Sequence, residues 1–316
     1  MIRFLYFYLR SMRLYYAFVT GTAVLVGCIV RHGSRLSVPW GWRDAAVILI
    51  GYLAWGVNQI FSDWFDRKED TVNAPHRPMV TGELAARPAL ILSCSLMVLF
   101  AVTAYLVSPV SLAVLLAGGL LNVLYSLLKK IPVIDTVIYG LAMTCCTLFG
   151  VSRDLDIQHI CFFSGVLMPF VLPSHVLMCH NSYFKDIEGD RAAGLWTLPV
   201  LFPRLSLWLG MILSVAWSSL LATPCLVLAL YAKTHDMRMK LLLSFCFILF
   251  CFYLTFQLFR HLWKKDYHAA TRLNCQLCVT WLWGIMTSAS PYWLIGAFVS
   301  VLLIQLLYMW YPDEKE

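Results

Sequence analysis

VSLAVLLAGGLLNVLYSLL, residues 110–128, runs without a single charged side chain. A run of roughly 18 or more apolar residues crosses the hydrocarbon core of a bilayer as a helix, which also satisfies its own backbone polar groups there. Such runs dominate this chain of 316 residues, of which 60% are hydrophobic and only 13% charged. Hydropathy read together with turn signals places helices over 13–31, 44–66, 88–107, 109–128, 133–152, 159–184, 205–231, 240–262, 270–288 and 291–310. Short breaks at Pro109, at Lys129 to Pro132 and at Ser290-Pro291 join antiparallel neighbours, and no Gly/Ser-rich or low-complexity linker divides the chain. The expectation is an all-α fold: one transmembrane domain over 1–316, a polytopic bundle of nine or ten helices, with segment 270–288 deciding the count. The first run, Tyr15 to Val30, is followed by Arg31, His32 and Arg35 with no small-x-small pattern, and is expected to remain as a span rather than act as a cleaved signal.

Lys and Arg set the expected orientation. With the N terminus inside, ten spans leave about 17 of the 24 basic residues on the cytoplasmic side, Arg10, Arg13, Lys129, Lys130, Lys264 and Lys265 among them. The net charge of +7 fits that bias or contact with anionic headgroups, and no basic stripe suggests nucleic acid. Most of the eleven cysteines lie inside apolar runs, as Cys145, Cys146, Cys161, Cys246 and Cys251 do, where the thiol behaves as a small hydrophobe. Cys275 and Cys278 form a lone CxxC without a second pair at zinc spacing.

Charge is concentrated in two places. SDWFDRKED, residues 62–70, follows the second apolar run; if the helix continues, Asp63, Asp66 and Asp70 stand at i, i+3 and i+7 on one face. Unpaired they repel one another at the unfavourable end of the helix dipole, so the stretch is either a solvated helix end neutralised by Arg67 and Lys68 or a cation site. HNSYFKDIEGDRAAG, residues 180–194, follows the sixth run and sets Asp186 and Asp190 at i, i+4, with Lys185 and Arg191 beside them. Both clusters follow even-numbered spans and so emerge on the same membrane face. Carboxylate pairs with Lys and Arg suit a diphosphate held through Mg²⁺, a hard ion that takes one or two carboxylates and completes its shell with water and phosphate oxygens.

The residues around these clusters carry a family resemblance. SDWFDRKEDTVNAPHRPMVTGEL (62–84) resembles the first aspartate-rich signature of UbiA-type membrane prenyltransferases, NDxxDxxxD with a VNxPxRPxxSG-like tail. FKDIEGDRAAGLWTLPV (184–200) resembles the second, KDxEGDxxAGxxTLPV, and YSLLKKIPVIDT (125–136) resembles the Tyr-x-x-x-Lys stretch between them. The likeness runs in order from about residue 10 to about residue 205. It implies a helical bundle around a central cavity, with Mg²⁺ and the diphosphate of a prenyl donor between the two acidic loops. Asp63, Asp66 and Asp70 then bind metal from one side and Asp186 and Asp190 from the other, while Arg77, Lys129 and Lys185 contact the diphosphate, joined by Arg191. Asp66, Asp190, Tyr125 and Lys129 form the implied catalytic core. The chain departs from the pattern at Ser62, where Asn is usual; Asn58, one turn earlier on the same face, takes that part. Thr136 stands where many members have Asn, and Ser182 and Tyr183 where relatives often carry a further acid.

Ionising an allylic diphosphate puts negative charge on the leaving group and positive charge on the prenyl carbon. Mg²⁺, Lys and Arg complement the first. Aromatic faces stabilise the second without capturing it, and Tyr16, Tyr52, Trp55, Tyr125 and Tyr139 are candidates beside the alternative of ordinary packing. His175 and His180 are either bases for the proton lost on alkylation or satisfied interface residues; Asp135 either meets a metal or caps the fifth helix. Neither a GxSxG, a P-loop nor an HExxH pattern offers other chemistry. The expected activity is prenyl transfer from a prenyl diphosphate to an aromatic or other lipid-soluble acceptor. A UbiA-type terpene cyclase, which needs no acceptor, is the alternative. A transporter is disfavoured, because no internal repeat with matched broken helices is visible.

Overall fold

The computed structural model describes residues 2–32, 40–65, 67–129, 131–154, 163–231, 235–287 and 293–311. Helices α1 (Ile2–Ser11), α2 (Ala17–Arg31), α3 (Trp42–Phe65), α4 (Arg67–Asn73) and α5 (Pro78–Thr81) are followed by α6 (Ala86–Val107), α7 (Pro109–Leu128) and α8 (Ile134–Val151). A π-helical turn, Phe163–Leu167, leads into α9 (Met168–Ser182), then come a 3₁₀ turn (Tyr183–Asp186), α10 (Ile187–Ala192) and α11 (Leu198–Leu201). The chain continues through α12 (Pro203–Tyr231), α13 (His235–Trp263), α14 (Tyr267–Thr287) and α15 (Trp293–Tyr308). No strand occurs among the described residues.

Each segment expected to span is helical where it is described. Seven of these stretches are long and apolar enough to cross a bilayer, and the shorter α2 and α15 are apolar throughout. The differences are local. The first span begins at Ala17 instead of residue 13, because the chain turns at 12–16 with Arg13 at a φ of 48°. Ahead of that turn stands α1, which hydropathy alone does not select. Segment 270–288 is helical as α14 as far as it is described although it carries Asn274, Gln276 and Thr280, and amide and indole donors along it are satisfied inside the protein. Asn274 Nδ2 donates to Met178 O (2.8 Å), Gln276 Nε2 to Val301 O (3.1 Å) and Trp281 Nε1 to Ser218 Oγ (2.9 Å).

Close helix approach depends on small residues. At the crossing of α2 and α8, Gly27 faces Gly150, and a side-chain carbon on either would collide with backbone of the other helix, at Thr147 O or at Val24 O. This contact holds α8 against α2 and brings Tyr139 of α8 into one buried cluster with Tyr15 of the turn before α2, Val19 of α2, Val171 and Met178 of α9, and Cys275 and Val279 of α14.

Candidate active site

The first acidic stretch forms a compact ion-pair cluster at the end of α3. Asp63 is 2% exposed; its Oδ1 lies 3.1 Å from Arg13 Nη2 and 3.4 Å from Arg77 Nη1. Arg77 also pairs with Asp70, so one guanidinium ties the last turn of α3 to α4. Burial pushes the Asp70 carboxyl above the usual carboxylate range, with the Arg77 charge opposing. Asp66 lies outside the described residues.

The second cluster joins the end of α7, the start of α8 and the turn after α9. Lys129 Nζ donates to Asp190 Oδ1 at 3.2 Å, and Thr197 Oγ1 donates to Asp190 Oδ2 at 3.4 Å. Lys129 also lies over the Tyr183 ring, 5.6 Å from its centroid. Burial works against the Lys129 ammonium, but Asp190 and Asp186 outweigh it, so its pKa rises and the amine stays charged. The tight turn that aims Lys129 and Asp135 includes Val133 at a φ of 72°, a conformation that β-branched residues disfavour. Asp186 is half-buried and near enough to Asp190 to repel it, and its side chain makes no hydrogen bond or ion pair with another described residue. Nor do Lys185 and Arg191 make an ion pair among the described residues, and Arg191 is exposed.

One to two helical turns below the charged groups runs a wall of rings. Tyr16 and Trp55 have centroids 5.9 Å apart, Trp55 and Tyr139 6.3 Å, and Tyr139 and Tyr125 5.2 Å. Four of the five aromatic candidates are thus contiguous, drawn from α2, α3, α8 and α7. Tyr52 is the exception: it packs edge-on against Phe18, 5.5 Å away, and over Gly21. An apolar cavity of about 290 Å³ opens beside the wall between α2, α3, α6, α7 and α8, with Trp55, Asn58 and Asn122 on its lining and Val114, Leu115 and Phe149 farther along. Asn58 is therefore a lining residue of this cavity, five residues short of Asp63.

Sequence reading missed Tyr183 and Arg13 as contributors, and left Asp135 between a metal contact and a helix cap, where the structure gives it hydrogen bonds instead. Tyr183, 2% exposed, donates its hydroxyl to Asp135 Oδ2 at 2.7 Å. Asp135 is fully buried and accepts from Thr136 Oγ1 as well, at 3.3 Å, so it orients the Lys129 turn. Arg13 counts as a topology signal in the sequence, yet it pairs with Asp63; an arginine at the mouth of an apolar run is the only cue. His175 is wholly buried with Cys278 Sγ 3.8 Å from Nδ1, and His180 Nε2 meets Ser206 O at 3.0 Å, so both histidines pack between helices.

Two acidic and basic clusters, on loops flanking an aromatic wall above an apolar cavity, are the arrangement the sequence motifs imply. A model of the UbiA prenyltransferase family matches residues 21–275. The chain belongs to this family. As a UbiA protein it is a prenyltransferase and an integral, multi-pass membrane protein. It is 29% identical over 201 residues to the digeranylgeranylglyceryl phosphate synthase of Natronomonas pharaonis, covering 61% of this chain and 68% of that one. The synthase of the same name from Methanosarcina mazei is 28% identical over 208 residues, covering 61% and 70%. Among solved structures, a UbiA homologue from Archaeoglobus fulgidus bound to GPP and Mg²⁺ shares the fold with a TM-score of 0.62 at 19% identity, covering 94% of this chain and 99% of that one. A UbiA homologue from Aeropyrum pernix has a TM-score of 0.63 at 15% identity, covering 88% and 97%.

Proposed function

We propose that this UbiA protein transfers a prenyl group from a prenyl diphosphate to a lipid-soluble acceptor in a Mg²⁺-dependent reaction. The observation that carries the reading is the pairing of Lys129 with Asp190 directly above the rings of Tyr125 and Tyr139. It sets a cation for the leaving group within one turn of aromatic faces for the prenyl carbon.

The acidic residues fit the metal. They are hard oxygen donors, and Asp186 pairs with no described side chain at hydrogen-bond distance. Asp63, Asp66 and Asp70 would hold metal from one loop and Asp186 and Asp190 from the other, with water and phosphate oxygens completing the shells. Mg²⁺ held there would supply Lewis-acid neutralisation of the diphosphate charge. Arg77, Lys129, Lys185 and Arg191 take the remaining phosphate oxygens, and Asn58 lines the approach. The allylic C–O bond breaks with its electron pair leaving on diphosphate. The wall from Tyr16 to Tyr125 keeps water from the prenyl carbon while the acceptor nucleophile bonds to it and loses its proton.

The cavity beside Trp55 supports an apolar chain as the transferred group. The relatives' name supports an acceptor other than a ring. The reading includes nine or ten crossings, with both acidic loops cytoplasmic under either count. Membranes incubated with Mg²⁺, prenyl diphosphates of increasing length and extracted lipids, followed by mass spectrometry, test it. A product containing both moieties supports transfer. A cyclic terpene formed with donor alone overturns it.

A further inference from the structure

Asp135 is a buried carboxylate without a cation. It is fully enclosed, and among the described residues its side chain makes no ion pair. Two hydroxyls serve it instead, Tyr183 at 2.7 Å and Thr136 at 3.3 Å. Its place in the first turn of α8 adds the positive end of an 18-residue helix dipole. Burying a carboxylate away from a cation is costly, and what it secures here is the orientation of one ring.

Tyr183 is the link. Its contact with Asp135 has the length of a charge-assisted O–H···O⁻ bond, and it tethers a ring that is 2% exposed and packed beside Tyr139 and Cys179. Lys129 Nζ stands 5.6 Å from the centroid of that ring, inside the reach of about 6 Å for a cation–π contact. A phenol that donates to an anion gains electron density, so its face attracts the ammonium more strongly.

Lys129 therefore has two seats, the Asp190 carboxylate at 3.2 Å and the Tyr183 face. Only the second survives loading of the site. Asp190 is an expected metal ligand, and the ammonium is repelled from a carboxylate that carries a divalent ion. A ring face takes no part in the oxygen shell of a hard ion, so it keeps its hold.

We infer that Asp135 and Tyr183 are positioning residues: the ring tethered to Asp135 carries Lys129 when metal occupies Asp190, and aims its ammonium at the leaving diphosphate. The inference rests on the prenyl diphosphate reading above.

Calorimetry with inorganic diphosphate and Mg²⁺, on the purified full chain in neutral detergent, tests this without turnover. Tyr183→Phe keeps the ring and cuts its tether, and is expected to bind the Mg²⁺ diphosphate about fivefold more weakly than the parent protein. Asp135→Leu should lose as much, and Asp135→Asn, which keeps an acceptor oxygen for the phenol, should stay within about twofold of the parent. In a Lys129→Met background Tyr183→Phe should make no further difference, because the ring acts through that ammonium. Tyr183→Phe and Asp135→Asn are close in shape to the side chains they replace, so the comparison across the two Lys129 backgrounds decides even where Asp135→Leu does not fold. Binding by Tyr183→Phe that matches the parent overturns the inference. So does an equal loss with and without Lys129, which assigns the ring to the neighbouring Tyr125 phenol instead. Failure to transfer a prenyl group to any acceptor, with the calorimetric cycle as expected, sinks the activity and leaves the positioning role standing.

Discussion

Lys129 Nζ lies 3.2 Å from Asp190 Oδ1, joining the end of α7 to α10 across 61 residues of sequence. The pair ties an expected diphosphate contact to an expected metal ligand. Lys129→Met leaves Asp190 buried without its cation, and removes the ammonium from the leaving group. Donor affinity should fall about tenfold and single-turnover ionisation about 10²-fold or more, with any acceptor. Donor binding and burst kinetics that match the parent protein would remove Lys129 from the site.

Both acidic loops are expected to be needed together. Asp66→Ala and Asp190→Ala should each cut turnover at least about 10³-fold with the fold retained; Asp190→Ala also leaves Lys129 without its carboxylate and should lower the thermal midpoint. Near-normal diphosphate release by either variant over a Mg²⁺ titration rules out the two-loop arrangement.

Tyr125 separates a ring effect from a hydroxyl effect. Its ring stacks edge-on with Tyr139 at 5.2 Å in the wall below Lys129. Tyr125→Phe keeps that face and should retain most activity, whereas Tyr125→Ala opens the wall and should lose about 10-fold more, with prenyl alcohol appearing as water reaches the prenyl carbon. Equal loss in the two variants would assign the role to the hydroxyl.

Asp70 sets a pH dependence whose sign differs for metal and for fold. Its carboxyl is raised by burial, with Arg77 opposing, so protons compete with Mg²⁺ at a higher pH than for an ordinary aspartate. Metal affinity is expected to fall, by up to about tenfold per pH unit, as pH drops through the raised value. The metal-free protein moves the other way. The folded state binds this proton more tightly than the unfolded chain, so its contribution is fully present below the ordinary carboxylate value and lost as pH rises through the raised one. Calorimetric Mg²⁺ titrations and metal-free melting curves between about pH 4 and 7 check both signs. Asp70→Asn should flatten both profiles, and profiles unchanged in that variant would exclude this carboxyl as their origin.

Loop orientation is open to direct labelling. Single cysteines at Thr71 and Ala193, in a background without native thiols, should resist an impermeant maleimide in intact cells and react after permeabilisation. The opposite pattern would place both acidic loops outside.

The sequence by itself determined the spans, the two acidic loops and the family, because each is written in contiguous residues. A bilayer span is an unbroken apolar run, and a metal-binding motif keeps its carboxylates within a turn or two of helix. It also named four of the rings that the structure places in one wall. What tertiary structure decided is which residues from distant segments meet. Arg13 faces Asp63 only because the chain turns at 12–16, and Asp135 accepts from Tyr183 only because α8 and α9 pack side by side. Tyr52 and Trp55 are equally aromatic in the sequence, but three residues along α3 is most of a turn, so one faces α2 while the other faces Tyr139. Likewise α1 escapes hydropathy, because a ten-residue helix that buries one narrow face needs no long apolar run. Segment 270–288 shows only weakly in it, because a helix enclosed by others can satisfy its amide donors on their carbonyls, as α14 does.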